Sequence, residues 1–179
     1  KLGGLKLEPV RLHSATHVRL IGCGTALNAC KIGQLAIENL ARIPAVAHVA
    51  SEFRYNNSVI NPNAIHFAVS QSGETADTLS AVKEIQLKGG SVHGIVNVVG
   101  SSIARLCGQG VYIHSGPEQA VASTKAFTNM VGALLLFAIR IGRTRSFSRE
   151  KGRKIAKSFE KIPDLIEQYL SNPGPINEA

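Results

Sequence analysis

Two adjoining segments decide the fold of this chain: Ala64-Ile65-His66-Phe67-Ala68-Val69 and, directly after it, Ser70-Gln71-Ser72-Gly73-Glu74-Thr75. The first is a short apolar run, which predicts a buried strand. After the second, apolar residues return at helical spacing over 74–88, and two glycines end the pattern. The polar segment thus lies at a helix start, where unpaired N–H groups favour an anion such as phosphate. The alternative is a helix cap, with Ser72 at the N-cap and Thr75 at N3.

The same alternation of strand and helix extends along most of the chain. Apolar runs predict further strands at 17–21, 45–50, 91–97 and 110–114. Helical patterns cover 26–40 and 101–106, and residues 51–54 predict a short helical turn. Because the strands are apolar nearly throughout, both faces of the sheet must be covered. The sequence therefore predicts an α/β fold with a parallel sheet between helices.

The last third of the chain breaks this alternation. A long helix is predicted over 123–142 and a second from Ser148, interrupted or restarted at Pro163. The second carries an apolar stripe that needs a partner surface, formed by Ile155, Phe159, Ile162, Ile166 and Tyr169. We expect an N-terminal extension at 1–14, one domain at 15–171 and a linker or tail at 172–179.

Composition restricts the class of protein. The 179 residues are 44% hydrophobic and 18% charged, as in ordinary soluble domains. No apolar run reaches the roughly 20 residues of a membrane span, and the longest, at 131–141, predicts a buried helix. Cys23, Cys30 and Cys107 match no zinc or redox spacing, so we expect free thiols and a cytoplasmic location. His66, His93 and His114 lie within apolar runs and are expected in strands. We expect no metal.

The positive charge is concentrated in one segment. Of the net charge of +8, a net +7 lies in residues 140–161, with nine basic residues against Glu150 and Glu160. Such a run can bind nucleic acid or an acidic partner, but it is also the usual solvated face of a helix. Aromatic residues for base stacking are sparse here, so we do not expect a nucleic-acid partner.

Three polar loops follow predicted strands and open predicted helices: Gly22-Cys23-Gly24-Thr25, Ser70 to Thr75, and 118–125. In an open parallel sheet, ligands bind beyond the carboxyl ends of the strands, so these loops are expected to converge. The first loop also permits a dinucleotide interpretation. However, Leu27 stands where that fingerprint needs a small residue, and we expect no cofactor.

Four segments carry a resemblance to a known family. They are residues 22–25 (GCGT), 50–55 (ASEFRY), 70–78 (SQSGETADT) and 121–128 (VASTKAFT). In this order they resemble the first sugar isomerase (SIS) domain of the glutamine–fructose-6-phosphate aminotransferase family. The resemblance covers roughly residues 15–170.

The resemblance implies a flavodoxin-like three-layer sandwich with a five-stranded parallel sheet. It also implies a site for a hexose 6-phosphate, either fructose 6-phosphate or glucosamine 6-phosphate. The phosphate would be held by Ser70, Gln71, Ser72 and Thr75, and the sugar by Thr25, Ser123 and the backbone of Val121. The sequence departs from the family at Ala26 and Ala120, where Ser and Gly are usual, and both positions concern the sugar end of the site.

The resemblance also implies partners. The family's glutaminase domain, and the second SIS domain that supplies its acid–base residues, have no counterpart in these residues, so we expect no catalytic residue here. Lys125 is expected to pair with a carboxylate such as Glu74 or Glu118. The implied partners are the second SIS domain and another copy in a homodimer. A sugar-phosphate sensor in a regulator is the competing interpretation.

Overall fold

The computed structural model describes residues 2–171, so the predicted tail at 172–179 lies outside the described residues. After a 3-10 turn at Gly3–Leu5 come, in order, α1 Pro9–His13, β1 His17–Gly22, α2 Gly24–Ala41, β2 Ala45–Val49, α3 Ala50–Tyr55, β3 Ala64–Ser70, α4 Ala76–Leu87, β4 Val92–Val96, α5 Ser102–Cys107, β5 Gly110–Tyr112, α6 Lys125–Arg143, α7 Arg149–Glu160 and α8 Ile162–Ser171.

The five strands form one parallel sheet in the order β2-β1-β3-β4-β5. The chain moves from β1 outward to β2 and then back across β1 to β3, so the strand order reverses between β1 and β3. A crevice at the carboxyl ends of those two strands is where an open sheet of this kind binds ligands. The predicted fold class, a flavodoxin-like three-layer sandwich, is confirmed.

Two apolar cores lie on opposite faces of the sheet. Alternate residues of β3 face each core, as the two-residue period of a strand requires. Phe67 lies in the core beneath α2 and α6, whereas Ala68 lies in the core beneath α3, α4 and α5. The contact of Phe67 with Phe137 of α6 is edge-on, with ring centroids 4.7 Å apart. Every residue of β3 is buried, which agrees with its mainly apolar sequence and leaves His66 and Ser70 as buried polar residues.

Two arginines of the basic segment fasten the N-terminal residues to the domain. The guanidinium of Arg140 donates to the carbonyls of Leu2 and Leu7, and that of Arg145 donates to those of Leu12, His13 and Ala15. Because these guanidinium groups satisfy main-chain carbonyls, part of the positive charge at 140–161 is structural. The remaining basic residues on α7 are exposed or half-buried.

The long helix α6 is long and apolar enough to cross a membrane by length and composition alone. It packs against α2, and half of its most apolar window is buried inside the fold. Core helices pass the same test, so this is weak support for a membrane span. The helical pattern that follows is broken at Lys161, next to Pro163, as the sequence predicts.

Three local predictions are wrong. α4 begins at Ala76, so Thr75 and not Ser72 is its N-cap residue, and the Thr75 side chain makes no capping bond. β5 ends at Tyr112, which leaves His114 in an exposed loop with a φ of 48°. Lys125 makes no ion pair with Glu74 or Glu118 within residues 2–171, because both carboxylates are engaged by backbone N–H groups instead.

Candidate functional site

The three polar loops meet in one pocket of about 260 Å³ at the carboxyl ends of β1 and β3. Its lining contains every residue that the sequence assigned to a ligand, namely Thr25, Ser70, Gln71, Ser72, Thr75, Val121 and Ser123. The rest of the lining is Cys23, Gly24, Ala26, Val69 and Ala120. Larger cavities lie elsewhere on the surface, but this one combines hydroxyls from three separate loops. Residues far apart in the chain therefore share one concave site.

A direct hydrogen bond joins the first loop to the third. The hydroxyl oxygens of Thr25 and Ser123 are 2.7 Å apart, across 98 positions of sequence. Ser123 is buried, whereas Val121, two positions earlier and also in the pocket lining, is fully exposed. Ala26 is also buried in this wall, so its methyl group fills the place where a hydroxyl would add a donor.

The second loop is a tight turn held by its own hydroxyls. The Ser70 hydroxyl accepts from the backbone N–H of Gly73 at 3.0 Å and lies 3.1 Å from the Thr75 hydroxyl. The Ser72 hydroxyl accepts from the N–H of Glu74 at 3.1 Å. Among the described residues, the backbone N–H groups of Gln71, Ser72 and Thr75 have no hydrogen-bond partner. The turn thus presents unused donors at the pocket wall.

Gly73 and Glu74 anchor this turn to α5. The carbonyl of Gly73 accepts from the N–H of Ile103 at 2.9 Å, and the Glu74 carboxylate accepts from the N–H of Ser102 at 2.7 Å. Hydrogen bonding from Ser102 holds the pKa of the Glu74 carboxyl below its ordinary value. The Glu74 carboxylate therefore binds the N-terminus of α5 and so holds the turn in place. Glu74 itself does not line the pocket.

Glu118 holds the third loop in place through hydrogen bonds in the same way. One carboxylate oxygen accepts from the backbone N–H groups of Thr124 and Ala126, at 3.2 and 3.1 Å. The other accepts from the Thr124 hydroxyl at 3.3 Å. A carboxylate already fills the N-terminus of α6, so that helix start is unavailable to a bound anion. Sequence reasoning missed this role, since a Glu six residues before the N-cap residue Thr124 matches no capping pattern.

Among residues 2–171, no charged side chain lines the pocket. The donors offered to a ligand are hydroxyls, the Gln71 amide and backbone N–H groups, together with the free first turn of α4. Such neutral donors at a helix start suit an oxyanion without a buried countercharge. Within residues 2–171 no cluster of three metal-ligating side chains occurs, and the three cysteines are unpaired.

Comparison with known proteins identifies the family. The sequence profile of the SIS domain matches residues 11–140, nearly three quarters of the chain. The chain belongs to the SIS domain family. It is also homologous to part of the glutamine–fructose-6-phosphate aminotransferase [isomerizing] of Chlorobaculum tepidum, with 41% identity over 99% of this chain. It covers only 29% of that relative, so this SIS domain spans less than a third of the length of the curated relatives it matches.

Solved structures agree with this assignment. The C-terminal domain of glucosamine-fructose-6-phosphate aminotransferase from Francisella tularensis superimposes with a TM-score of 0.88 at 30% identity, over 95% of this SIS domain and 49% of that chain. The NanR protein of Vibrio vulnificus, solved in complex with ManNAc-6P, gives a TM-score of 0.65 at 19% identity, over 91% of this chain and 61% of that one. The second likeness concerns the fold alone.

Proposed function

We propose that the pocket binds the phosphate and sugar of a hexose 6-phosphate, either fructose 6-phosphate or glucosamine 6-phosphate. The observation that carries the proposal is the convergence of three hydroxyl-bearing loops on one uncharged pocket. Ser70, Gln71, Ser72 and Thr75 hold the phosphate, because the unused N–H groups of the second loop lie there. Thr25, Ser123 and the backbone of Val121 meet the sugar hydroxyls from the opposite wall.

The energy required is modest. A hydrogen bond to a charged group contributes about 1.5–3 kcal/mol net. A millimolar dissociation constant corresponds to about 4 kcal/mol, so a few such bonds suffice without an arginine or lysine in the pocket. The occupied N-termini of α5 and α6 direct the anion to the second loop, where α4 begins with no side-chain cap.

We further propose that this chain is the first SIS domain of a glucosamine-6-phosphate synthase and acts in amino-sugar biosynthesis in the cytoplasm. The four matching segments and the 41% identical aminotransferases support this more than a regulator's sensor module. Within the described residues the pocket lining contains no Asp, Glu, His or Lys side chain to take up or release a proton. This domain grips the substrate, and the second SIS domain supplies the chemistry.

Replacing Ser72 with Ala is expected to weaken hexose 6-phosphate binding about tenfold, the loss of roughly one hydrogen bond to a charged group. The substitution removes a pocket hydroxyl and the acceptor for the Glu74 N–H. Thermal shift and calorimetry with fructose 6-phosphate, glucosamine 6-phosphate, inorganic phosphate and NAD measure the effect. NAD is expected to leave the melting temperature unchanged.

Ser148→Ala is the matched control for this experiment. The Ser148 hydroxyl accepts from the N–H of Lys151 at the start of α7, so its loss costs a similar local bond outside the pocket. Affinity should remain at the wild-type value in this variant. If no sugar phosphate stabilises the wild-type protein at tens of millimolar, the assignment of the pocket is wrong.

We also propose that the face of α8 is a contact surface between two copies of the chain. Ile162, Leu165, Ile166, Tyr169 and Leu170 are each at least 40% exposed, and α8 packs mainly on α7. A groove of about 800 Å³ lies between this helix and α6. An apolar face of this kind commonly marks an interaction site.

Ile166→Glu is expected to shift the protein from dimer to monomer, because a carboxylate would be buried unpaired in the interface. Sedimentation velocity across a concentration series measures the change. Asp164→Asn, a polar substitution on α8 outside the lining of the groove, is the control and should leave the association constant nearly unchanged. A wild-type protein that remains monomeric at high micromolar concentration contradicts the dimer.

A further inference from the structure

We infer that Glu118 is the positioning residue that holds the sugar-binding wall of the pocket in place. The inference rests on the proposed function and assigns to this carboxylate a role separate from phosphate binding. Its three accepted hydrogen bonds, from two backbone N–H groups and one hydroxyl, all go to Thr124 and Ala126. Ser123, whose hydroxyl meets that of Thr25, immediately precedes this anchored pair.

The anchoring joins residues close in sequence and involves a charged group. Glu118 lies six residues before Thr124, so its bonds close the third loop on itself while fixing the first turn of α6. Charge-assisted bonds to backbone N–H groups are stronger than neutral ones. They therefore fix the backbone on either side of Thr124, and with it the position of the adjacent Ser123 hydroxyl beside Thr25.

Glu74 is the natural counterpart on the opposite wall. Its carboxylate fixes the second loop through Ser102 of α5, as Glu118 fixes the third through α6. Each glutamate therefore supports one wall of the pocket: Glu74 the wall proposed to bind the phosphate, and Glu118 the wall proposed to bind the sugar. Loss of Glu118 should affect recognition of the sugar, and loss of Glu74 should affect recognition of the phosphate.

The test compares Glu118→Gln, Glu74→Gln and Glu84→Gln in calorimetry with fructose 6-phosphate and with inorganic phosphate. Glu84 pairs with Lys88 on the surface of α4 and controls for loss of a carboxylate elsewhere. Glu118→Gln should weaken fructose 6-phosphate about tenfold, a loss equivalent to one charged hydrogen bond, and inorganic phosphate less than about twofold. Glu74→Gln should weaken both ligands together, and Glu84→Gln neither.

Two further readouts keep the inference testable. In NMR spectra without ligand, the amide protons of Thr124 and Ala126 should move upfield in Glu118→Gln, as charged acceptors are lost. Ser123→Ala should weaken fructose 6-phosphate in the same way, and combining it with Glu118→Gln should add little, since both changes act on one wall. Should Glu118→Gln fail to fold, Glu118→Asp keeps the charge and should give intermediate amide shifts and affinity.

The outcomes separate the inference from the function on which it rests. Unchanged amide shifts, or fructose 6-phosphate binding equal to wild type in Glu118→Gln, overturn the role of Glu118. Equal weakening of both ligands also overturns it, because Glu118 would then only support the fold. If the wild-type protein binds neither ligand, the proposed function fails, while the amide shifts still decide whether Glu118 holds the loop.

Discussion

Lowering the pH from 7.5 to 4 is expected to destabilise this domain by several kcal/mol, because His66 and His93 are buried in the sheet as neutral imidazoles. Burial lowers the pKa of each to about 4 from an ordinary value of 6.5. His66 keeps one hydrogen bond, to the carbonyl of Ser91 at 3.1 Å, and its other ring nitrogen is buried without a partner. One nitrogen of His93 is likewise unpaired.

The sign follows from proton linkage. Below pH 6.5 the unfolded chain binds protons that the folded chain refuses, so the free energy of unfolding falls as pH falls. The stability is fully present above 6.5 and is lost progressively down to the folded pKa near 4. A difference of about 2–3 units between the pKa in the unfolded and folded states corresponds to a loss of about 3 kcal/mol in the free energy of unfolding for each histidine. Since typical domains have only about 5–15 kcal/mol in total, acid should bring this one close to unfolding.

Urea unfolding at pH values between 7.5 and 4 measures this effect, and side-chain NMR titration follows each imidazole directly. His66→Asn keeps a donor for the Ser91 carbonyl but cannot take up a proton, and it should remove about half of the pH dependence. Ile37→Val, a substitution in the buried face of α2, is the control, since it should lower the free energy of unfolding similarly at every pH. A stability that is flat from pH 7 to 4.5 would contradict buried neutral histidines.

The second large effect is expected from Gly73→Ala in the turn proposed to bind phosphate. Gly73 has a φ of 68°, and a Cβ placed there would lie 2.0 Å from the Ser101 hydroxyl oxygen and 2.5 Å from its Cβ. The left-handed backbone costs about 1–2 kcal/mol for a non-glycine residue. Overpacking against buried Ser101 adds about 1–3 kcal/mol. We expect a loss of about 2–5 kcal/mol and a displaced turn that no longer binds phosphate.

Gly100→Ala provides a matched control for the backbone term. Its φ is 72°, but the space around a new Cβ is open, so only the left-handed strain applies. Ser101→Gly should partly rescue Gly73→Ala, because it removes both clashing atoms, and the Ser101 side chain makes no capping bond to be lost. Urea unfolding and calorimetry with inorganic phosphate measure the series. Equal losses in Gly73→Ala and Gly100→Ala would exclude the clash.

The start of α4 illustrates why local sequence rules failed at the site. Serine followed three residues later by threonine made Ser72 a reasonable cap. In the fold, Glu74 is held by Ser102 and Gly73 by Ile103, both on a helix some thirty residues away. These distant contacts keep the turn out of the helix until Ala76. The helix propensities of neighbouring residues cannot predict a hydrogen bond to a helix about thirty residues further along the chain.

The sequence by itself determined the order of the elements, the parallel sheet and the identity of the pocket residues. Periods of two and 3.6 residues are local properties, and the topology that they imply places polar loops at the strand ends. The resemblance to the family then selected the individual pocket residues within those loops. Only the tertiary structure decided which helix starts are free. Glu74 and Glu118 fill two of them through contacts across loops, and burial between two helical layers gives His66 and His93 their low pKa values. Desolvation and the bond between Ser102 and Glu74 depend on how the layers assemble, which no short window of sequence contains. The bonds of Glu118 span only six to eight residues, but they depend on the path of the loop, which no capping rule describes.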